Sequence, residues 1–220
     1  MMGVRIAALS LFLLSSVAIS ACSGDDPAPA ATPDPAEASG PGSYAAPVDL
    51  EGLCSLLSYE ALSSALGVPA GETKAELHGS DPTSSRSVRC TRSLAGANTA
   101  DGGLVTTDIT FWHDVDLAKS QFAYTKGADA KNFAQDQRVE AQGGVGAEAY
   151  RYVRSPSSEQ VLIPELVARH SNLDVSVQFI SSAPPGGLDA RSKQLFEAAG
   201  AYANEVLATV RKAAPAPAAS

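Results

Sequence analysis

The chain has 220 residues, 16 of them basic and 24 acidic for a net charge of −8, which is length enough for one domain of ordinary size with segments left over. The acidic balance excludes nucleic acid as the expected partner, because neutralising phosphates takes a basic stripe and Arg86, Arg89 and Arg92 form the only dense positive cluster. Five of the acids, Asp25, Asp26, Asp34, Glu37 and Asp49, precede residue 50, so the remainder is closer to neutral.

Residues 1–5 end in a basic Arg5, and residues 6–19 form an apolar run that matches a signal-peptide core and falls short of the ~20 residues a bilayer span needs. Next stands Ile19-Ser20-Ala21-Cys22, which resembles the lipobox of bacterial lipoproteins. Small side chains admit the peptidase, and the thiol is the nucleophile that takes a diacylglycerol. The expectation is a signal peptide over 1–21, removed, with Cys22 acylated. The mature protein is then anchored to the cell membrane on its extracytoplasmic face through an N-terminal diacylglyceryl group, without spanning the bilayer. Acyl chains on one residue anchor stably, at about 0.8 kcal/mol per buried methylene. The alternative is an ordinary signal peptide cut near a cysteine.

From Cys22 to residue 49 the chain is Pro, Ala, Gly and acid with one aromatic, Tyr44. Such a segment buries too little apolar surface to offset its ordering entropy, so a disordered stalk is expected over 22–49. The same reasoning gives a frayed tail over 213–220, leaving one extracytoplasmic domain over 50–212.

With Cys22 claimed by the lipobox, Cys54 and Cys90 are left in an oxidising compartment, where a disulfide is the default. It closes a loop of about 37 residues, worth about 4 kcal/mol by loop entropy. A redox or metal thiol pair is the weaker alternative, since there is no C-x-x-C and no histidine close in sequence.

Within the domain, Leu53, Leu57, Ala61, Leu62 and Leu66 fall at helical spacing, and Gly67-Val68-Pro69 stops them, predicting a helix over 53–66. Extended segments follow at 73–78, 87–94 and 104–113. In the third, Val105, Thr107, Ile109 and Phe111 alternate with Thr106, Asp108 and Thr110, the signature of an antiparallel sheet with one wet face. Asp114 is placed to cap a second helix, with Val115, Ala118 and Phe122 on one stripe and a stop at Gly127. Four strands are predicted at 137–142, 147–154, 161–170 and 173–179. His170-Ser171-Asn172 forms a tight turn, and Pro164 marks an edge strand or a bulge. After Pro184-Pro185-Gly186-Gly187 a third helix runs over 188–212, with Leu188, Leu195, Ala199, Tyr202, Val206 and Val210 along one face. The order α-βββ-α-ββββ-α predicts an α+β fold: a twisted, mostly antiparallel sheet of six to seven strands with three helices.

Signatures of chemistry are sparse. Gly144-Val-Gly146-Ala-Glu-Ala149 matches a dinucleotide-binding spacing, but the mechanism needs a helix after the glycines and Tyr150-Arg-Tyr152-Val reads as a strand. His113, Asp114 and Asp116 lie together, yet the two aspartates stand where a helix start favours negative charge. Neither a G-x-S-x-G elbow nor an H-E-x-x-H helix occurs, so no catalytic residue, metal or cofactor is expected. Trp112 falls on the wet parity of its strand, and Tyr150 and Tyr152 share a parity two strands later. Exposed aromatics of this kind form a candidate binding surface, unless helices cover that side of the sheet as well.

Taken together, Cys22, the Pro/Ala stalk, Cys54-Ser-Leu-Leu-Ser-Tyr-Glu-Ala-Leu, Val88-Arg-Cys90, Gly144-Val-Gly146-Ala-Glu-Ala-Tyr150 and Val175-Ser-Val-Gln-Phe179 resemble the small actinobacterial lipoproteins of unknown function. An aromatic that such proteins carry after the second cysteine is replaced here by Thr91-Arg92. The resemblance implies a cell-envelope address and the Cys54–Cys90 bridge, and no reaction. The outline is also similar to extracellular sensor domains of actinobacterial kinases and to envelope lipoproteins with a PsbP-like α/β/α sandwich, some of which bind lipids or wall proteins. The functional expectation is a non-catalytic binding module for an envelope lipid, small amphiphile or envelope protein. The alternatives are an accessory envelope protein without a ligand and, more distantly, an envelope hydrolase.

Overall fold

A computed structural model describes residues 40, 42–62, 69–78, 83–94, 103–154, 161–182 and 188–216. The expected leader, Cys22 and most of the stalk lie outside the described residues, as do residues 217–220.

The elements are α1 (Glu51–Leu56), β1 (Pro69–His78), β2 (Ser85–Leu94), β3 (Gly103–Trp112), α2 (Val115–Asn132), a 3-10 turn (Gln135–Gln137), β4 (Glu140–Ala141), β5 (Glu148–Arg154), β6 (Val161–His170), β7 (Leu173–Ser182) and α3 (Leu188–Ala213). All seven strands join one sheet in the order β1-β2-β3-β7-β6-β5-β4, every pair antiparallel. Two meanders, β1-β2-β3 and β4-β5-β6-β7, meet where β3 pairs with β7. The α+β architecture is as the sequence order predicts.

Alternation along the strands gives the sheet two unlike faces. On the inner face one row across the strands reads Leu77, Val88, Ile109, Val175, Ala168 and Ala149. There α3 packs on β6 and β7, and α1 on β1 and β2. The helical stripe expected of α3 is the one it buries, through Leu195, Ala199, Tyr202, Val206 and Val210. The leucine and the two valines each contribute about 1.5–3 kcal/mol when taken from water. Cys54 and Cys90, both buried, are bonded to each other and staple α1 to β2.

Among the described residues the outer face is covered only in part, by α2. Asp114 caps that helix, its Oδ1 accepting from Leu117 N at 2.7 Å, and Val115, Ala118 and Phe122 are buried beneath it. The helix does not stop at Gly127, which has open space around it, but continues to Asn132. A helical glycine costs about 1 kcal/mol against alanine. The extra turn delivers Asp129, whose Oδ2 receives the Tyr150 hydroxyl at 2.6 Å and whose carbonyl receives the N–H groups of Phe133 and Ala134.

Other local differences have tertiary causes. The helix predicted over 53–66 is broken rather than continuous: α1 ends at Leu56 and helical residues resume at 60–62, the Glu205 carboxylate of α3 accepting from Ser58 Oγ, Tyr59 N and Ala61 N at the break, where Tyr59 has φ +57°. Residues 63–66 of the predicted helix lie outside the described residues. The strand expected over 137–142 shrinks to Glu140–Ala141, because Asp136 and Gln137 adopt positive φ in the 3-10 turn. Pro164 marks no edge: β6 is interior, pairing with β5 through Pro164 itself, and only its ladder to β7 is interrupted, at residues 163 and 164. The missing donor costs one side of one ladder.

The domain also begins earlier and ends later than composition suggests. Tyr44 is 3 % exposed and bridges Pro215, with Ala45 N donating to Ala214 O and Ala216 N to Ser43 O. Tyr44 hydrogen-bonds His170 Nδ1 at 2.8 Å through its hydroxyl, and its backbone N and O bond the Asn172 side chain. Residues expected in the stalk and the tail therefore form a paired strap across the β6–β7 turn. A Pro/Ala context hid one aromatic with a socket to fill.

Candidate functional site

Two of the three aromatics expected to form a surface are core residues. Tyr150 and Tyr152 are 0 % and 2 % exposed and pack with Phe122, Ala134 and Val167 in a second cluster under α2, Phe122 lying edge-on to Tyr150 at 5.2 Å. Both lie on the same face of the sheet as Trp112, and there α2 covers it, the alternative the sequence left open. Trp112 is half-buried, and its Nε1 donates to Asp174 Oδ2 at 2.8 Å. Its backbone N donates to Asn172 O, tying it to the turn that receives the strap.

His113 is exposed, with Nδ1 3.3 Å from Asp114 Oδ2, and Asp114 serves as the helix cap. Among the described residues no group of three His, Cys, Asp or Glu side chains converges in a way that would hold a metal. The Gly144-Val-Gly146 segment is a turn into β5, with no helix after it. Gly146 has φ +58°, and a Cβ there would lie 2.6 Å from Arg169 O. Val145 plugs against Gly200 of α3, and Asn204 Nδ2 donates to Gly144 O.

Beyond α2 nothing among the described residues covers the outer face, and two rows across it are polar. One row across six strands reads Lys74, Thr91, Thr106, Gln178, Glu165 and Tyr152. The neighbouring row begins Glu76, Arg89, Asp108 and Ser176 before passing under α2 at Val167. Thr91, Thr106, Asp108, Ser176 and Gln178 are all half-buried.

Glu165 organises this face. Its residue is 8 % exposed, yet four donors satisfy its carboxylate: Ser176 Oγ to Oε1 at 3.0 Å, and Tyr152 OH, Gln178 Nε2 and Arg154 Nη2 to Oε2 at 2.9, 3.0 and 3.4 Å. Arg154 stacks 4.5 Å from the Phe133 ring centroid and keeps a buried Nε without a partner. Burial alone would lower the Arg154 pKa, but the Glu165 charge and the Tyr152 hydroxyl outweigh it and raise it. Burial, followed by the nearby carboxylates, pushes the Tyr150 and Tyr152 hydroxyls well above their ordinary range, so both stay protonated donors. Burial likewise raises Asp129, against the opposing Tyr150 hydrogen bond. Two strands away, Arg89 grips Asp108 with two bonds of 2.8 and 2.9 Å.

Sequence reasoning passed over Glu165, Arg154, Ser176 and Gln178. The available signal was a lone carboxylate inside the apolar run Val-Leu-Ile-Pro-Glu-Leu-Val, since a charge is seldom buried unless partners are built around it. Fixed donors and acceptors on an open sheet can bind a polar ligand.

No family model matches the chain, and no curated protein matches it. Among solved structures, it is similar to the crystal structure of the extracellular domain of PknH from Mycobacterium tuberculosis, at 16% identity and a TM-score of 0.46, over 76% of this chain and 98% of that one.

Proposed function

We propose that the chain is a membrane-anchored, extracytoplasmic binding domain without catalytic activity of its own, and that the open outer face around Glu165 and Gln178 is its recognition surface. The observation that carries this is the convergence of four donors on one buried carboxylate, flanked by half-exposed polar groups in fixed positions. Ordering side chains costs entropy and burying a charge costs solvation, and a solvated face of mobile Lys and Glu incurs neither. Holding them rigid lowers the cost of binding a ligand later. The address is supported by the apolar run ending in Ile19-Ser20-Ala21-Cys22 and by the Cys54–Cys90 bridge, a bond that persists in oxidising compartments.

Two measurements test the reading. Radiolabelled fatty acid should be incorporated by the wild-type chain and lost with Cys22→Ala, which should then leave the membrane fraction; unchanged labelling removes the anchor. A photo-crosslinking phenylalanine analogue at Thr91, on the open face, should give an envelope adduct in intact cells, whereas the same analogue at Tyr124, exposed on the outside of α2, should not. No adduct at Thr91, or equal adducts at both positions, removes the recognition surface and leaves an accessory envelope protein.

A further inference from the structure

We infer that the ligand of the open face is an uncharged, hydroxyl-rich glycan chain laid across the strands, a reading that rests on this face being the recognition surface. Charge is the first argument. The cations of the face are already matched by its anions, Arg89 by Asp108 and Arg154 by Glu165, and Lys74 and Glu76 supply one further charge of each sign at the β1 edge. Among the described residues of these rows no surplus remains to select a phosphate, a carboxylate or an amine. Apolarity is the second. From β2 to β7 the two rows carry Thr91, Thr106, Gln178, Arg89, Asp108 and Ser176 and no apolar side chain, so the apolar surface beside them, at Leu104 and Ile180, is confined to one end of the face. An extended peptide would find its main-chain partners at a sheet edge rather than on this face.

What the face offers is paired donors and acceptors. Among the described residues nothing bonds the Thr91 and Thr106 hydroxyls, each able to give and accept. Gln178 spends one N–H on Glu165 and keeps its carbonyl and its second N–H. Adjacent hydroxyls of a sugar are themselves paired donors and acceptors, and planar amide, guanidinium and carboxylate groups meet two of them at once. Neighbouring strands lie about 4.8 Å apart, the size of one sugar ring, so Thr91, Thr106 and Gln178 present one polar group per ring along the row. Beside them Leu104 pairs with Ile180, half-buried and 40 % exposed, an apolar strip suited to the C–H face of a pyranose.

The test uses the purified full chain in detergent and insoluble polymer prepared from the envelope of its own cell by lipid extraction and protease digestion. Binding to this polymer should persist through both treatments and disappear after periodate oxidation, which cleaves vicinal diols. Thr106→Ala with Gln178→Ala should lower affinity at least tenfold, Thr91→Val alone should lower it several-fold, and Tyr124→Ser should leave it unchanged, with melting temperature confirming that each variant is folded. Binding that survives periodate, or that is lost on lipid extraction or protease digestion, overturns the glycan. If the Thr91 photo-adduct forms while the polymer is not bound, the surface stands and the ligand class fails; if neither occurs, both fall.

Discussion

Asp174 is the residue whose surroundings make the sharpest prediction. Burial raises its carboxyl pKa to about 7, against the opposing pull of the Trp112 hydrogen bond and the Arg169 charge, while Glu148 adds to the rise. One oxygen accepts from Trp112 Nε1, and the other, Oδ1, is buried without a partner. The folded state thus holds a proton that the unfolded chain releases near its ordinary value of 3.8. Stability contributed at low pH is lost as pH rises through that window, and the full penalty is present above about pH 7. Asp174→Asn should therefore stabilise the domain more at pH 8 than at pH 4.5, the gain at pH 8 being about 1 to 3 kcal/mol, the usual cost of a buried group left unsatisfied. Trp112 is the only tryptophan, so its emission reports the same event. Fluorescence should titrate with a midpoint near 7 in the wild type and be flat across that range in Asp174→Asn. A flat wild-type profile would show that this carboxyl does not titrate there.

Glu205 shows how one element reshapes another. Its carboxylate takes donors from Ser58, Tyr59 and Ala61, acting as the cap for a turn that belongs to a different part of the chain. Glu205→Ala should cost about 1 to 2 kcal/mol, as loss of a helix cap does, with Glu205→Gln recovering part of it. Hydrogen exchange should localise the loss to the amides of Tyr59 and Ala61, and a uniform loss across the sheet would contradict the capping role. Such contacts explain which elements were legible in the chain. The strands β3 and β7 and the helix α3 follow from alternation and 3.6-residue spacing, because those patterns are local and strong. The break after Leu56 was invisible, because the acid that causes it lies 144 to 147 residues away from its donors. The outer face was half legible. Trp112 was placed on the outward parity of its strand and Tyr150 and Tyr152 on a shared one, but which part of that side α2 covers depends on where a helix crosses a sheet. Under α2 the two tyrosines are core, while Thr91, Thr106 and Gln178 stay half-buried on the same face.

At the scale of the whole molecule two devices fasten the domain, and they should fail differently. The disulfide closes a loop with a sequence separation of 36, which restricts the unfolded chain by about 4 kcal/mol. Cys54→Ala with Cys90→Ala should accordingly lower global stability, reducing protection of every slowly exchanging amide by a similar factor. The strap works locally. Tyr44 fills a socket formed with His170 and Asn172, and two backbone bonds tie residues 43 and 45 to residues 216 and 214. None of these contacts touches the ladders that join β2, β3 and β7. Tyr44→Ala should open the strap as a sub-global unit, an event whose free energy lies below that of complete unfolding. The amides of Ala45 and Ala216 should lose at least tenfold more protection than those of Ile109 and Val175 at the centre of the sheet. Equal loss at all four would mean that the strap folds with the domain as one cooperative unit. Loss confined to Ala45 and Ala216 would make the strap a separately releasable joint between the domain and the segment that leads back toward Cys22.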